Sequence, residues 1–449
     1  MLCLSTRGKS PATPLHRAII DGIAPDGGLY LPEHIPQIDV SELLESETYQ
    51  EAALQVIAPF FAGDLLAEKL PGMIERAFNF PVPLKKLSSS NDFLLELFHG
   101  PTSAFKDVGA RFLAQCFDAV ASQNKIRTIL VATSGDTGGA VAAAFHRQAH
   151  VRVIVLFPEG RVSARQAHQL SCFGDNIHSY RVQGSFDDCQ RLVKSAFADK
   201  ELSEKHGLTS ANSINLGRLL PQMSYYAWAA VQYANSGKAN DKLNFIIPSG
   251  NLGNAFAAVL ARAAGAPIGD IVLATNANHV LSDFFDSGDY TPRDSVSTLA
   301  NAMDVGAPSN LERLRYLYPE QKIHQAILKV ESVGDDEIRR AIPVTLDTYD
   351  EIICPHTACG MVVLERLRDA GDRRDWCVIA TAHPAKFETV VEPLIQQSIV
   401  IPEPLQTLMD RPAHAEHLEP ELKSLQAALE STIKIVRMPA RCAQNLSDK

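Results

Sequence analysis

The sequence predicts an α/β fold: an open parallel sheet at its centre, a small N-terminal α+β cap before it and a helical C-terminal tail after it. Three observations predict this. Short β-branched apolar runs recur from about residue 90 onward. Each run is apolar on both faces, the pattern of a strand in a parallel sheet covered on both sides. Ala-rich segments of helical character lie between the runs, and strands alternating with helices make βαβ units.

Taken in order, residues 1–88 are read as the cap, with an amphipathic stretch from Leu15 to Ile23 followed by the turn-rich APDGGLYLPEHIP. Residues 89–398 are the core, with a smaller mobile lobe over about 108–190. Its strands are TILVAT (128–133), VRVIVLF (151–157), LNFII (243–247), DIVLAT (270–275) and WCVIAT (376–381). Its helices include TGGAVAAAFHRQ (137–148), DDCQRLVKSAFAD (187–199), PQMSYYAWAAVQYA (221–234) and GNAFAAVLARAAG (253–265). Ligands of open parallel sheets sit beyond the carboxyl ends of the strands, so the loops after these strands carry the chemistry. Residues 399–449 start with IPEPLQ and continue into a polar helix, a packing appendage with no chemistry assigned to it.

Composition narrows the class. The chain has 449 residues, 42 Lys+Arg against 52 Asp+Glu, a net charge of −10, and 46% hydrophobic against 21% charged residues. These values exclude a disordered or collagen-like chain. The acidic balance and the lack of a Lys/Arg run argue against nucleic-acid binding. No stretch approaches the ~18 apolar residues of a membrane span. The start MLCLSTRGKS carries no secretory signal pattern, and the eight cysteines are scattered, so a reducing, cytoplasmic setting is expected.

Three loops carry candidate chemistry. TSGDTGG (133–139) follows a strand and opens an Ala-rich helix. Its backbone N–H groups and hydroxyls suit a carboxylate or phosphate, or it is a plain turn capped by Asp136 or Thr137. PSGNLGN (248–254) has the same form, and Gly250 and Gly253 let backbone curl around an anion. It lacks both the Lys-Ser/Thr ending of a nucleotide P-loop and the spacing of a dinucleotide fingerprint, leaving a single-phosphate handle or a turn. In ELFHGPTSAFKDVGARFLAQ (96–115), Lys106 has mostly apolar neighbours. Such a lysine loses solvation of its charge and becomes a nucleophilic amine, or it snorkels and pairs at the surface. Together the three loops supply an amine, a phosphate cradle and a second anion site, the needs of a pyridoxal-phosphate enzyme acting on an amino acid.

With these segments in view, the chain resembles the threonine synthase family, pyridoxal-phosphate enzymes of the tryptophan-synthase-β-like fold (fold type II). The resemblance covers nearly the whole chain. It is carried by ELFHGPTSAFKD, ATSGDTG, SANSINLGRLLPQ, PSGNLGN, NAMDVGAP and TAHPAKF in the family's order, and by STRG and GLYLPE near the N-terminus. It implies a two-lobed core and pyridoxal 5'-phosphate as cofactor. It also implies conversion of O-phospho-L-homoserine and water to L-threonine and phosphate. Lys106 is then the Schiff-base lysine and the base for the α-proton. Gly250, Asn251, Leu252, Gly253 and Asn254 form the phosphate cradle, and Thr381 is the hydroxyl partner of the pyridine nitrogen. Ser134, Gly135, Asp136 and Thr137 grip the substrate and face the ring. Asn212, Ser213 and Arg218 hold the substrate phosphate, where a planar guanidinium matches phosphate oxygens. The partner is a small molecule, with neither nucleic acid nor membrane, on a monomer or homodimer.

Two positions depart from the family pattern. Asn254 stands where Asp is common, and it removes a negative charge near a phosphate. Cys354 stands where an acid often precedes PHxA, which puts any role of that acid in doubt. Cys354, His356 and Cys359 invite a zinc reading, but no fourth ligand has suitable spacing, so no metal is assigned. The rival readings are a dehydratase or lyase of serine, threonine or a phosphorylated relative, and a non-catalytic ligand-binding homologue. An NSINLGR phosphate pocket has no use in an enzyme of unphosphorylated amino acids.

Overall fold

The structure is a computed structural model and describes residues 1–120, 126–238, 241–319 and 322–436. Cys442 and the end of the expected tail lie outside the described residues.

The N-terminal region builds a small antiparallel sheet from β1 (Leu2–Ser5), β2 (Thr13–Pro14) and β3 (Tyr30–Pro32), in the order β2-β1-β3. Helices Leu15–Asp21, Tyr49–Phe61 and Leu70–Ala77 complete it. Thr48 and Glu51 form a reciprocal capping box at the start of the second of these helices. Its face Ala52, Ala53, Val56, Ile57 and Phe60 is fully buried, the i, i+3, i+4 stripe of a core-facing helix.

Two further sheets form the core. The large one runs β12-β11-β10-β13-β5-β4, from β4 (Leu84–Lys86), β5 (Phe93–Glu96), β10 (Leu243–Pro248), β11 (Ile268–Thr275), β12 (Lys329–Ser332) and β13 (Trp376–Ala380). All its pairs are parallel except β4 with β5. The smaller sheet, β14-β8-β7-β6-β9, is parallel throughout. It uses β6 (Arg127–Ala132), β7 (Val151–Pro158), β8 (Ile177–Val182), β9 (Leu208–Thr209) and β14 (Glu416–Leu418). Every residue of β7, β10 and β13 is buried, as the two-sided apolar runs require.

The C-terminal segment carries helices Glu403–Met409 and Leu422–Val436, and between them β14 pairs with β8 at the edge of the smaller sheet. Among the described residues no helix is long and apolar enough to cross a membrane. The seven cysteines among them are free and buried. The segments that follow β5, β6, β10 and β13 meet in one pocket.

Candidate active site

The segment leaving β5 turns sharply before the helix Lys106–Val120. Asp107 makes the turn: its carboxylate accepts the Thr102 N–H at 2.8 Å and the Thr102 hydroxyl at 2.7 Å. Gly100 packs so closely that an added Cβ would lie 2.6 Å from Asp107 Oδ2. The Phe105 N–H donates to the Thr381 carbonyl at 2.8 Å, which ties the lysine segment to the end of β13. Lys106 thereby enters the pocket beside the Phe105 ring, 5.8 Å from its centroid. Burial pushes its ammonium down to about 8; Asp136 opposes the shift, and the Arg218 and Lys386 charges add to it.

The loop leaving β10 forms the opposite wall. Leu252 adopts a left-handed conformation (φ 61°) just before the helix Gly253–Ala263. Gly250 presses against the Met303 backbone, where a Cβ would meet its Cα at 2.8 Å and its carbonyl oxygen at 2.9 Å. Asn251 bridges two neighbours: Nδ2 donates to Ser213 Oγ at 2.7 Å, and Oδ1 accepts the Ser309 N–H at 2.5 Å. The Asn254 Oδ1 accepts from the Tyr225 and Tyr226 hydroxyls, and its Nδ2 is buried with no partner.

Arg218, in the short helix Leu216–Leu219, is buried. Its Nη1 donates to the Ala211 carbonyl at 2.6 Å, while Nε has no partner. Burial pushes this guanidinium down to about 10, against the pull of Asp107 and Tyr225. The neighbouring loop is held from behind by Asn310 and Arg313. The Asn310 Nδ2 donates to the Ser213 and Asn251 carbonyls, and fully buried Arg313 donates to Asn310 Oδ1, Ile214 O and Tyr30 O.

The third wall is the loop leaving β6. Thr133 Oγ1 accepts the Gly135 and Gly138 N–H groups, each at 3.0 Å, and shapes the turn. Gly135 has φ +141°, and a Cβ there would collide with Gln166 Nε2 at 2.5 Å, so only glycine fits. Asp136 is buried at the first turn of the helix Asp136–Phe145. Burial alone raises a carboxyl pKa, but here the charges of Lys386 and Lys106 and the hydrogen bond from Lys386 outweigh it and hold Asp136 below the usual carboxylate range. Its partners are Lys386 Nζ at 2.9 Å and Gln166 Nε2 at 3.1 Å.

Lys106, Asp136, Thr137, Ser213, Arg218, the 250–254 loop and Thr381 line one pocket. Ser134, Gly135 and Asn212 are not among its lining residues. Gln222, Met303 and His356 also line it and were not singled out as site residues from the sequence; nor was Lys386, which backs Asp136. Lys386 had the same signal as Lys106, a lysine set among apolar residues. His356 was weighed only as a metal ligand. Its Nε2 accepts the Ala302 N–H at 3.1 Å, and burial pushes the imidazole down to about 4, against Asp136 and with Lys106 and Lys386. Cys354 Sγ lies 3.9 Å from His356 Nδ1 and 3.3 Å from Thr357 Oγ1, a neutral thiol beside a neutral ring.

The arrangement offers a nucleophilic amine, a glycine-walled cradle and buried donors without partners in one cleft. A family model described as pyridoxal-phosphate dependent enzyme matches residues 80–384. Models for the threonine synthase N terminus and C-terminal region match residues 3–78 and 357–429. The chain is 38% identical to the threonine synthase of Haemophilus influenzae over 414 residues, covering 92% of this chain and 96% of that one. The crystal structure of threonine synthase from Escherichia coli superposes with a TM-score of 0.88 at 33% identity, covering 96% of this chain and 100% of that one. The pyridoxal-phosphate-bound threonine synthase of Brucella melitensis gives a TM-score of 0.88 at 34% identity, covering 96% and 99%. With the parallel two-lobed core and all three family regions accounted for, the chain belongs to the threonine synthase family of pyridoxal-phosphate-dependent enzymes of fold type II.

Proposed function

We propose that this enzyme acts on O-phospho-L-homoserine, and that the pocket divides into a cofactor half and a substrate-phosphate half. The observation that carries this reading is Arg218: a buried guanidinium whose Nε has no partner, in the same pocket as Lys106 and beside Ser213 and Asn251. A buried donor left without an acceptor costs about 1–3 kcal/mol, more when charged, so its presence favours an anionic occupant. A dehydratase of unphosphorylated amino acids would have no use for it.

The residues fit the cofactor. The 250–254 loop is the cradle for its phosphate: Gly250 leaves room that a Cβ would fill, and the orphaned Asn254 Nδ2 points to an oxygen acceptor. Asn254 brings no negative charge to that phosphate, so the departure from Asp is benign. Thr381, at the end of β13, offers a neutral hydroxyl to the ring nitrogen and does not force its protonation. Lys106, with its depressed pKa, is the amine that holds the cofactor aldehyde. When bound, the cofactor supplies an electron sink that makes carbon-bound protons next to the substrate nitrogen removable.

This chain's own groups do the rest. Lys106 Nζ, when not held to the cofactor, would take the α-proton and return it, and its depressed pKa raises the unprotonated share near neutral pH. Thr137 and the backbone of residues 134–137 orient the substrate carboxylate at the start of the helix. Arg218, Ser213 and Asn251 would hold the departing phosphate group and keep it near the carbon where water adds. The test is a substrate panel with purified holoenzyme. O-phospho-L-homoserine is expected to be turned over, and L-serine and L-threonine to be deaminated at least about a hundred-fold less efficiently. Preferred deamination of L-serine would instead move the function to the dehydratase reading.

A further inference from the structure

Lys386 is a second buried lysine beside the site, and it is not among the residues that line the pocket. It lies in the short turn Pro384–Phe387 after β13 and is fully buried. Its Nζ meets two acceptors from two other segments: Asp136 Oδ1 at 2.9 Å and the Thr102 carbonyl at 2.7 Å. Thr102 belongs to the segment that delivers Lys106. Asp136 belongs to the smaller lobe, at the loop that faces the substrate. One ammonium therefore joins the lysine segment, the β13 loop and the smaller lobe.

Other bonds cross the same seam. Ser163 Oγ donates to the Lys386 carbonyl at 3.1 Å, and the Gln169 amide donates to the Thr102 carbonyl at 3.3 Å. Gln166, which caps the helix Ala164–Ser171, donates to Asp136 and accepts from Asn301 at 3.3 Å. Among the described residues the seam is thus a set of hydrogen bonds around the buried Lys386–Asp136 pair, with the less buried Arg165–Glu388 pair at 3.6 Å alongside it. A buried carboxylate stripped of its cation is strongly unfavourable. Here it would also stand where the negative end of an amino acid must approach, and like charges brought together suppress binding.

We propose that Lys386 is a positioning residue for the substrate carboxylate: it neutralises Asp136 and latches the 134–137 loop of the smaller lobe onto the larger one. The loop then presents N–H and hydroxyl groups, and no net charge, to the amino acid. This assignment rests on the reading of that loop as the carboxylate site. The other charged or titratable groups facing Asp136 are Lys106, His356 and Cys354; burial holds His356 neutral and pushes the Cys354 thiol up, so it too is neutral.

The test uses the holoenzyme and its visible spectrum, titrated with L-threonine between roughly pH 6 and 9. Lys386→Met is expected to weaken threonine at least about ten-fold, with a new pH dependence, because burial then pushes the Asp136 carboxyl up without the Lys386 cation to oppose it. In Asp136→Asn/Lys386→Met the dissociation constant returns to within about three-fold of wild type and the pH dependence disappears. Asp136→Asn alone keeps the cation and is expected to bind threonine no more weakly than wild type. The double variant removes both buried charges, so it serves even if the lysine variant fails to fold. Wild-type binding by Lys386→Met, a double variant as weak as Lys386→Met alone, or about ten-fold weaker binding by Asp136→Asn would each overturn the proposal. Thr137→Val separates the two readings. Weakened threonine supports the loop as carboxylate site, and unchanged binding removes that reading and the latch with it.

Discussion

Gly109 gives a sharp test of the phosphate half of the pocket, because it packs against Arg218 and does not itself line the pocket. It lies in the helix that Lys106 opens, and a Cβ there would sit 2.8 Å from Arg218 Nε and 2.8 Å from the Arg218 carbonyl oxygen. Ordinary contact begins at 3.4 Å, so in Gly109→Ala the arginine must retreat by about 0.6 Å. Alanine favours the helix by about 1 kcal/mol. Crowding in a packed interior costs about 1–3 kcal/mol. The net loss of stability is then at most about 2 kcal/mol, and the variant stays folded. A charge-assisted hydrogen bond to substrate is worth about 1.5–3 kcal/mol, so its misplacement lowers kcat/KM about 10- to 100-fold. The assay is steady-state kinetics on O-phospho-L-homoserine, with inorganic phosphate as inhibitor and cofactor affinity followed by absorbance. KM rises, phosphate inhibition weakens by a similar factor, and the cofactor dissociation constant stays within about two-fold. A folded, cofactor-loaded Gly109→Ala enzyme with wild-type KM and wild-type phosphate inhibition would refute the placement of Arg218.

Other outcomes follow from the same geometry. Capture of the cofactor by apo-protein needs a neutral Lys106, so its rate rises with pH and levels off above about 8, where an ordinary lysine would show its inflection near 10.5; Lys106→Ala shows no imine absorbance at any pH. Arg313→Met strands three buried carbonyl acceptors, on Tyr30, Asn310 and Ile214. It is expected to lower the unfolding free energy in urea by about 3 kcal/mol and to raise KM as the Ser213 loop loosens. Cys354→Ser keeps a neutral group beside neutral His356, so kcat/KM stays within about three-fold of wild type, as steady-state rates would show.

The sequence was most readable where physics is local. Runs such as VRVIVLF and LNFII are apolar on both faces because β7 and β10 have layers on either side. Gly250 was legible as a close approach, though only the fold reveals that the approaching chain is the Met303 backbone. Three features depend on distant partners and left no such trace. Arg313 sits in LERLRYL, which reads as an amphipathic surface helix, yet its guanidinium is fully buried on carbonyls from two distant segments and one neighbouring side chain. The polar EHL of β14 gives no strand pattern, because an edge strand is made by its neighbour β8. Lys386 and Asp136 are about half the chain apart, and nothing in either neighbourhood announces that they pair.

The most direct measurement follows phosphate and L-threonine together during turnover of O-phospho-L-homoserine by the holoenzyme, with the cofactor's visible spectrum recorded in the same cuvette. The account predicts equal amounts of the two products and a spectrum that changes on substrate addition. Phosphate released without threonine, or a cofactor spectrum that answers only to unphosphorylated amino acids, would contradict it.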